Sequence, residues 1–209
     1  MKKLLLLLLV ISFSASILIY AQDSEFTPGV KRWNIKTSLV NFKTVPLADL
    51  LQLNKPFEHF IEAEFDKNRI PIIVQPDSLK EGDIVTTTGW LHLVAQEDDG
   101  DYHIQITNSR EWEDSCLIVE VPYAGFVKDT GLSEKCADVR KFIREEILNE
   151  DGETIGEDSL ETGVYVTITG QLFYDGGHGG MRGKSGMRSY TLWELHPLFS
   201  IKLEQEPDN

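Results

Sequence analysis

The alternation of apolar and polar residues predicts a mainly β (α+β) protein: a five-stranded barrel with one helix between its third and fourth strands, preceded by an irregular N-terminal arm. Three observations carry this expectation. Five segments after Lys80 alternate with a period of two, which places successive side chains on opposite faces of a sheet. Between the third and fourth of them one segment repeats at helical spacing. Upstream of Lys80 no periodicity lasts long enough to build a second core.

In chain order, Val85, Thr87, Gly89, Leu91 and Leu93 alternate with Ile84, Thr86, Thr88, Trp90 and His92 as a long first strand. Gly89 in its middle points to a bend or bulge. The acidic turn Glu97-Asp98-Asp99-Gly100 leads to a second strand, Tyr102 to Thr107, with Tyr102, Ile104 and Ile106 on one face. The third strand, Cys116 to Val121, turns Leu117, Val119 and Val121 inward and ends at Pro122. Ser133 stands where a helix cap is expected, and Val139, Phe142, Ile143 and Ile147 recur along one helical face. An acidic loop, Asn149 to Thr162, precedes a fourth strand at 164–172, and a last strand runs from Tyr190 to about Leu203. The order β-β-β-α-β-β is that of an OB-type barrel, expected over residues 80–204, with a general α+β sandwich as the alternative. Residues 22–79 are expected to pack on it as the arm, with a helical turn or two at Leu47–Leu51 after Pro46 and an edge strand at Arg69–Val74. Residues 205–209 read as a loose tail.

The chain has 209 residues, enough for one domain with its own core and two at most. Met1-Lys2-Lys3, the apolar run Leu4–Ile19 and the small residue Ala21 have the anatomy of a secretory signal peptide covering 1–21. The run is shorter than the ~20 apolar residues of a spanning helix, so export with cleavage and no remaining membrane span is expected. The formal charge of −14 becomes −16 once Lys2 and Lys3 are removed, which argues against a duplex nucleic-acid partner. In an oxidising compartment Cys116 and Cys136 admit two readings. One is a bridge that contributes about 3 kcal/mol through loop closure; the other is two buried thiols behaving as small hydrophobes.

Period two also selects a polar cluster. With Tyr102, Ile104 and Ile106 inward, His103 and Gln105 point out; with Val119 and Val121 inward, Glu120 points out; with Trp193 and Leu195 inward, Glu194 and His196 point out. A hairpin through 109–114 sets His103 opposite Glu120, and in an OB topology the third strand lies between the second and fifth. The four side chains are thus expected together on the outer face, where OB folds bind. Two imidazoles and two carboxylates suit a divalent metal held by His103, Glu120 and His196 with Glu194 as base. They equally suit a metal-free acid–base pair of His103 and Glu194, or a structural network countered by Arg32 or Lys36. The loop Asp175–Ser189, with six glycines, carries His178, Arg182, Lys184 and Arg188, the one basic stretch of the chain. Its 15 residues suit a binding loop, or a connection that pairs with the acidic turn 97–101. Trp90 adds an aromatic for ligand stacking; single-stranded nucleic acid would use it, against the acidic balance. The expected function is an exported OB-like binding or interaction domain for a small ligand, glycan or protein. The alternative is a metal-assisted, phosphodiesterase-like hydrolase built on the four-residue cluster.

Several segments together resemble a known group: Arg32-Trp33-Asn34-Ile35-Lys36-Thr37, Asp99-Gly100-Asp101-Tyr102-His103, Glu120-Val121-Pro122, Thr169-Gly170 with Phe173, Asp175, His178-Gly179, and Glu194-Leu195-His196-Pro197. They are similar to a widespread group of secreted bacterial proteins of unknown activity that share an RW-x-VKT start, a D-x-D-Y-H-L strand, an HG loop and a closing ELHP strand. The resemblance spans most of residues 32–201 and implies a shared barrel and polar cluster. The closing loop Gly180–Ser189 departs from it in being longer and more basic. A second likeness is to the staphylococcal-nuclease type of OB fold, through Asp99-Gly100-Asp101 and Glu120-Val121-Pro122. The arginine which that family carries before its second acid has no counterpart, Ser115 standing near its place, so phosphodiester cleavage does not follow from the likeness.

Overall fold

One strand, β2 (Ile84–Gln96), is long enough to pair on both of its edges, and the barrel is organised around it. In the computed structural model the described residues are 43–53 and 79–207, apart from 114, 128, 151, 153–154 and 176–182. The signal segment 1–21, Arg32, Lys36, the Arg69–Val74 segment, His178 and Arg182 therefore lie outside the described residues. Those described fall in one unit, Asn34–Asn209. Their elements are β1 (Lys43–Thr44), α1 (Leu47–Leu50), β2, β3 (Tyr102–Thr107), β4 (Leu117–Val121), a 3₁₀ turn (Ala124–Phe126), α2 (Thr130–Phe142) running on as a π-helical stretch (Ile143–Leu148), β5 (Glu157–Tyr174) and β6 (Trp193–Leu203). Among the described residues no helix is long and apolar enough to cross a membrane.

The sheet order is β1-β2-β3-β4-β6-β5, and β5 pairs back onto β2, so strands β2 to β6 close into a five-stranded barrel. β4 and β6 are parallel while the other barrel pairs are antiparallel. That is the OB arrangement expected from the sequence, with α2 between the third and fourth barrel strands and β1 added parallel to β2.

The interior is filled by the predicted inward set: Tyr102, Ile104, Ile106, Leu117, Val119, Val121, Trp193 and Leu195 all belong to the main core. Leu47 and Leu50 of α1 join the same core, as do Leu132, Val139, Ile143 and Ile147 of α2 and its extension. Gly89 is needed for a close approach, not for a bulge. A Cβ there would stand 2.5 Å from Leu47 Cδ2 and 2.6 Å from Ile106 Cγ2. The bulge lies further on, where Leu91 pairs with Ile106 but Leu93 with Gln105. The extra residue, His92, reverses the alternation. Val94 takes the inward position, and Leu93 and Ala95 move to the outer face, where they form a small cluster with Cys116 and Met187.

Three boundaries differ from those expected, the first being β6, which opens at Trp193 and not at Tyr190. The helix cap is Asp129, whose carboxylate accepts from the Leu132 N–H at 2.9 Å. Ser133 instead donates to the Ala124 carbonyl at 2.9 Å, inside the first turn. β5 begins at Glu157, within the segment expected as acidic loop, because it follows β2 to its end in the pairing Ala95↔Glu157. Cys116 and Cys136 are separate buried thiols, one in the outer cluster and one in the main core, and no bridge joins them.

Gly89→Ala is expected to lower stability by about 1–3 kcal/mol through overpacking, read from the denaturant midpoint. Gly156→Ala, where a Cβ meets nothing within 4 Å, should leave it nearly unchanged. Unfolded without reductant, the protein should titrate both of its 2 cysteines with a thiol reagent that does not label them in the native state.

Candidate functional site

Strand register builds the site. His103 pairs directly with Glu120 across β3 and β4. β4 runs parallel to β6 through Ile118↔Glu194 and Val119↔Leu195, which brings His196 beside Glu120. The backbone of β6 bulges there, three steps from Leu195 to Leu198 matching two on β5. His196 sits within that bulge, a device that re-aims side chains. His196 Nδ1 lies 2.8 Å from Glu120 Oε2 and 3.3 Å from Glu194 Oε1. His103 Nδ1 lies 4.0 Å from Glu120 Oε1 and 3.6 Å from Glu97 Oε1. The four side chains selected by period-two alternation are thus one chain of contacts centred on Glu120.

Asp101 joins them from the turn before β3. Its Oδ1 accepts the Tyr123 N–H at 2.8 Å, which ties the carboxylate to the turn after β4, and its backbone N–H donates to Asp99 Oδ1 at 3.1 Å, which ties the backbone to its own turn. Asp101, Glu120 and His196 each offer a donor atom, all within 4.8 Å of one another; this buried group can hold a metal ion. Alternation could not find Asp101, which precedes the strand. The signal for it was the Asp99-Gly100-Asp101 motif of the second likeness.

The outer face is not open. The side chains of His103 and Glu120 are 8% exposed, His196 1% and Glu194 0%. Part of the cover comes from the loop ahead of β6. Gln105 grips the backbone of Lys184 twice, accepting its N–H at 2.5 Å and donating to its carbonyl at 3.2 Å. The same Gln105 oxygen lies 3.2 Å from His103 Nε2, which therefore donates to it. Lys184 Nζ is 3.2 Å from Glu97 Oε1, so the basic loop does pair with the acidic turn. Gly183, Ser185 and Gly186 have positive φ, which lets the chain turn tightly and deliver Met187 to the outer apolar cluster. Gln105, Lys184 and Glu97 are thus the positioning residues of the site.

Of the residues expected to bind ligand, Trp90 lies elsewhere. It is buried, packed on Tyr165 at 4.8 Å between ring centroids, with the Arg110 guanidinium 5.9 Å away. Its register partners are Thr107 and Tyr165, not members of the cluster. Arg188 is exposed and its carbonyl accepts from the Cys116 N–H at 2.9 Å.

Burial by itself pushes the His196 imidazole towards neutrality. The hydrogen bonds to Glu120 and Glu194, and their charges, outweigh it and raise the pKa from the usual 6.5 to about 9. Burial likewise raises the Asp101 carboxyl above its usual range, partly offset by the charge of His196. The imidazolium is thus the form that the two carboxylates favour. His196 Nε2, on the far side of the ring, has no hydrogen-bond partner among the described residues.

No protein-family model and no curated protein matches the chain. The fold and the cluster therefore rest on this chain's own geometry.

In metal-free protein, His196 is charged in both folded and unfolded states below about pH 6.5, and its ion pairs then contribute fully. Between that pH and about 9 the folded state alone keeps the proton, so stability falls as pH rises, by an amount on the order of a few kcal/mol. Melting temperatures from pH 6 to 10 should fall more steeply for the natural chain than for His196→Gln. Gln105→Ala should release the loop; faster amide exchange at Lys184 than in the natural chain is the measurement that checks it.

Proposed function

We propose that this chain is an exported OB-like binding or interaction domain, with its ligand site at the rim where the acidic turn 97–101 meets the loop before β6. The burial of the His–carboxylate cluster carries this reading. A hydrolytic base and its metal must meet both water and substrate, yet Glu194 is fully enclosed and His103 nearly so. What remains accessible at the rim is a mixed-charge surface. Lys184 is partly exposed beside a partly exposed Glu97, and Arg188 stands on the same loop. Such a surface suits polar recognition of a small molecule, glycan or protein segment better than bond cleavage. Export is supported by the pattern of the first 21 residues.

The convergence of Asp101, Glu120 and His196 favours a second reading, the metal-assisted hydrolase. In it a bound divalent ion would activate water, with Glu194 as base and His103 as acid–base partner.

Thermal-shift screening against glycan and peptide panels, beside a phosphodiester assay with bis(p-nitrophenyl) phosphate and added Mn²⁺ or Zn²⁺, separates the two. The binding reading expects a ligand-dependent rise in melting temperature that Lys184→Glu diminishes, with no turnover. Metal-dependent turnover abolished by Glu194→Gln would replace it with the hydrolase.

A further inference from the structure

Three separate chain segments send one metal-ligating side chain each to the same point: Asp101 from the turn before β3, Glu120 from β4 and His196 from β6. We propose that Asp101, Glu120 and His196 bind a single divalent ion of the zinc class, and that the ion acts as a structural staple between the turn 97–101 and the closing strand.

The donor set selects the class of ion. Calcium and magnesium favour all-oxygen shells, whereas an imidazole beside carboxylates suits zinc and its first-row neighbours. Donors on one zinc ion at about 2.0–2.2 Å lie roughly 3–4 Å apart. The donor atoms here already lie within 4.8 Å of one another, so small side-chain movements bring three of the four tetrahedral donors onto one ion.

His196 turns one ring nitrogen towards the other donors of the group. The ring is 1% exposed. One nitrogen, Nδ1, faces the carboxylates of Glu120 and Glu194, while the other, Nε2, has no hydrogen-bond partner among the described residues. Nδ1 is thus the nitrogen on the side of Glu120, and an ion held by both would take the place of the proton between them. Glu194, whose buried oxygen lies 3.3 Å from Nδ1, is the positioning residue that orients the ring.

The site differs from the set expected from sequence in one member. Asp101 replaces His103, which is turned towards Glu97 and Gln105. The staple also has an evident consequence. It would hold the acidic turn that Lys184 pairs with, and so the loop over the outer face.

The test is a calorimetric titration of chelator-stripped full chain with Zn²⁺, and in parallel with Ca²⁺ and Mg²⁺. One Zn²⁺ per chain is expected, with a higher melting temperature and no comparable response to the other two ions. Asp101→Asn and His196→Gln should each weaken Zn²⁺ binding at least tenfold, and Glu145→Gln, exposed on the π-helical stretch after α2, should not change it. Should those two variants fail to fold, side-chain ¹⁵N spectra of the natural chain decide. The resonances of one of its 5 histidines, identified as His196 through its neighbours, should shift on adding Zn²⁺. Absence of saturable binding up to millimolar Zn²⁺, preference for Ca²⁺, or Zn²⁺ binding that leaves His196 unperturbed overturns the proposal. Zinc binding with no ligand found in the screens would leave the staple standing and remove only the binding-domain reading.

Discussion

Closure of the barrel is the constraint on which the rest of the structure depends. β2 hydrogen-bonds to β3 along one edge and to β5 along the other, so each of the five barrel strands has a neighbour on both sides. A closed barrel of this size has an interior that side chains must fill, and Ile104, Ile106, Leu117, Val119 and Leu195 fill it. Every polar residue that alternates with them is then committed to the outside. His103, Gln105, Glu120, Glu194 and His196 share a face because their apolar neighbours have claimed the core.

That outer face is itself covered, which sets the chemistry of the cluster. Enclosing charges is costly unless each is paired and hydrogen-bonded. The short contact of His196 with Glu120, the longer one with Glu194 and the hydrogen bond from Tyr123 to Asp101 each offset part of that cost. Gln105 contributes differently, by holding the Lys184 backbone in place as a neighbouring strand would hold a partner. The cover and the cluster are therefore mechanically linked through β3, since His103 and Gln105 are two residues apart on the same face and hydrogen-bonded to each other.

Bulges supply the fine adjustment. The one at His92 turns Leu93 and Ala95 outward to meet Met187, giving the covering loop an apolar seat. The one after Leu195 sets His196 beside Glu120 while Leu198 still reaches the core. Two local breaks of register thus serve the same outer face, one by seating the loop and the other by aiming the imidazole.

Period-two alternation is a local property, and it was sufficient to determine the five barrel strands, the inward set of the core except beyond the bulge at His92, and the shared face of His103, Glu120, Glu194 and His196. The helix between the third and fourth strands was equally legible from its apolar spacing, although its cap was not. Asp129 and Ser133 are both good capping residues, and only the path of the chain from Ala124 decides between them. What the tertiary structure decided are the contacts between segments far apart in the chain. Gly89 reads as a bulge because nothing local reveals that Leu47 approaches it. Asp101 and Lys184 lie outside regular strands, where alternation assigns no face, so their approach to His196 and Glu97 depends on how the turn and loop fold back over the barrel. Cys116 and Cys136 lie 20 residues apart in sequence, a loop that a bridge could close. The barrel wall assigns one thiol to the outer cluster and the other to the core, and that separation follows from closure of the sheet.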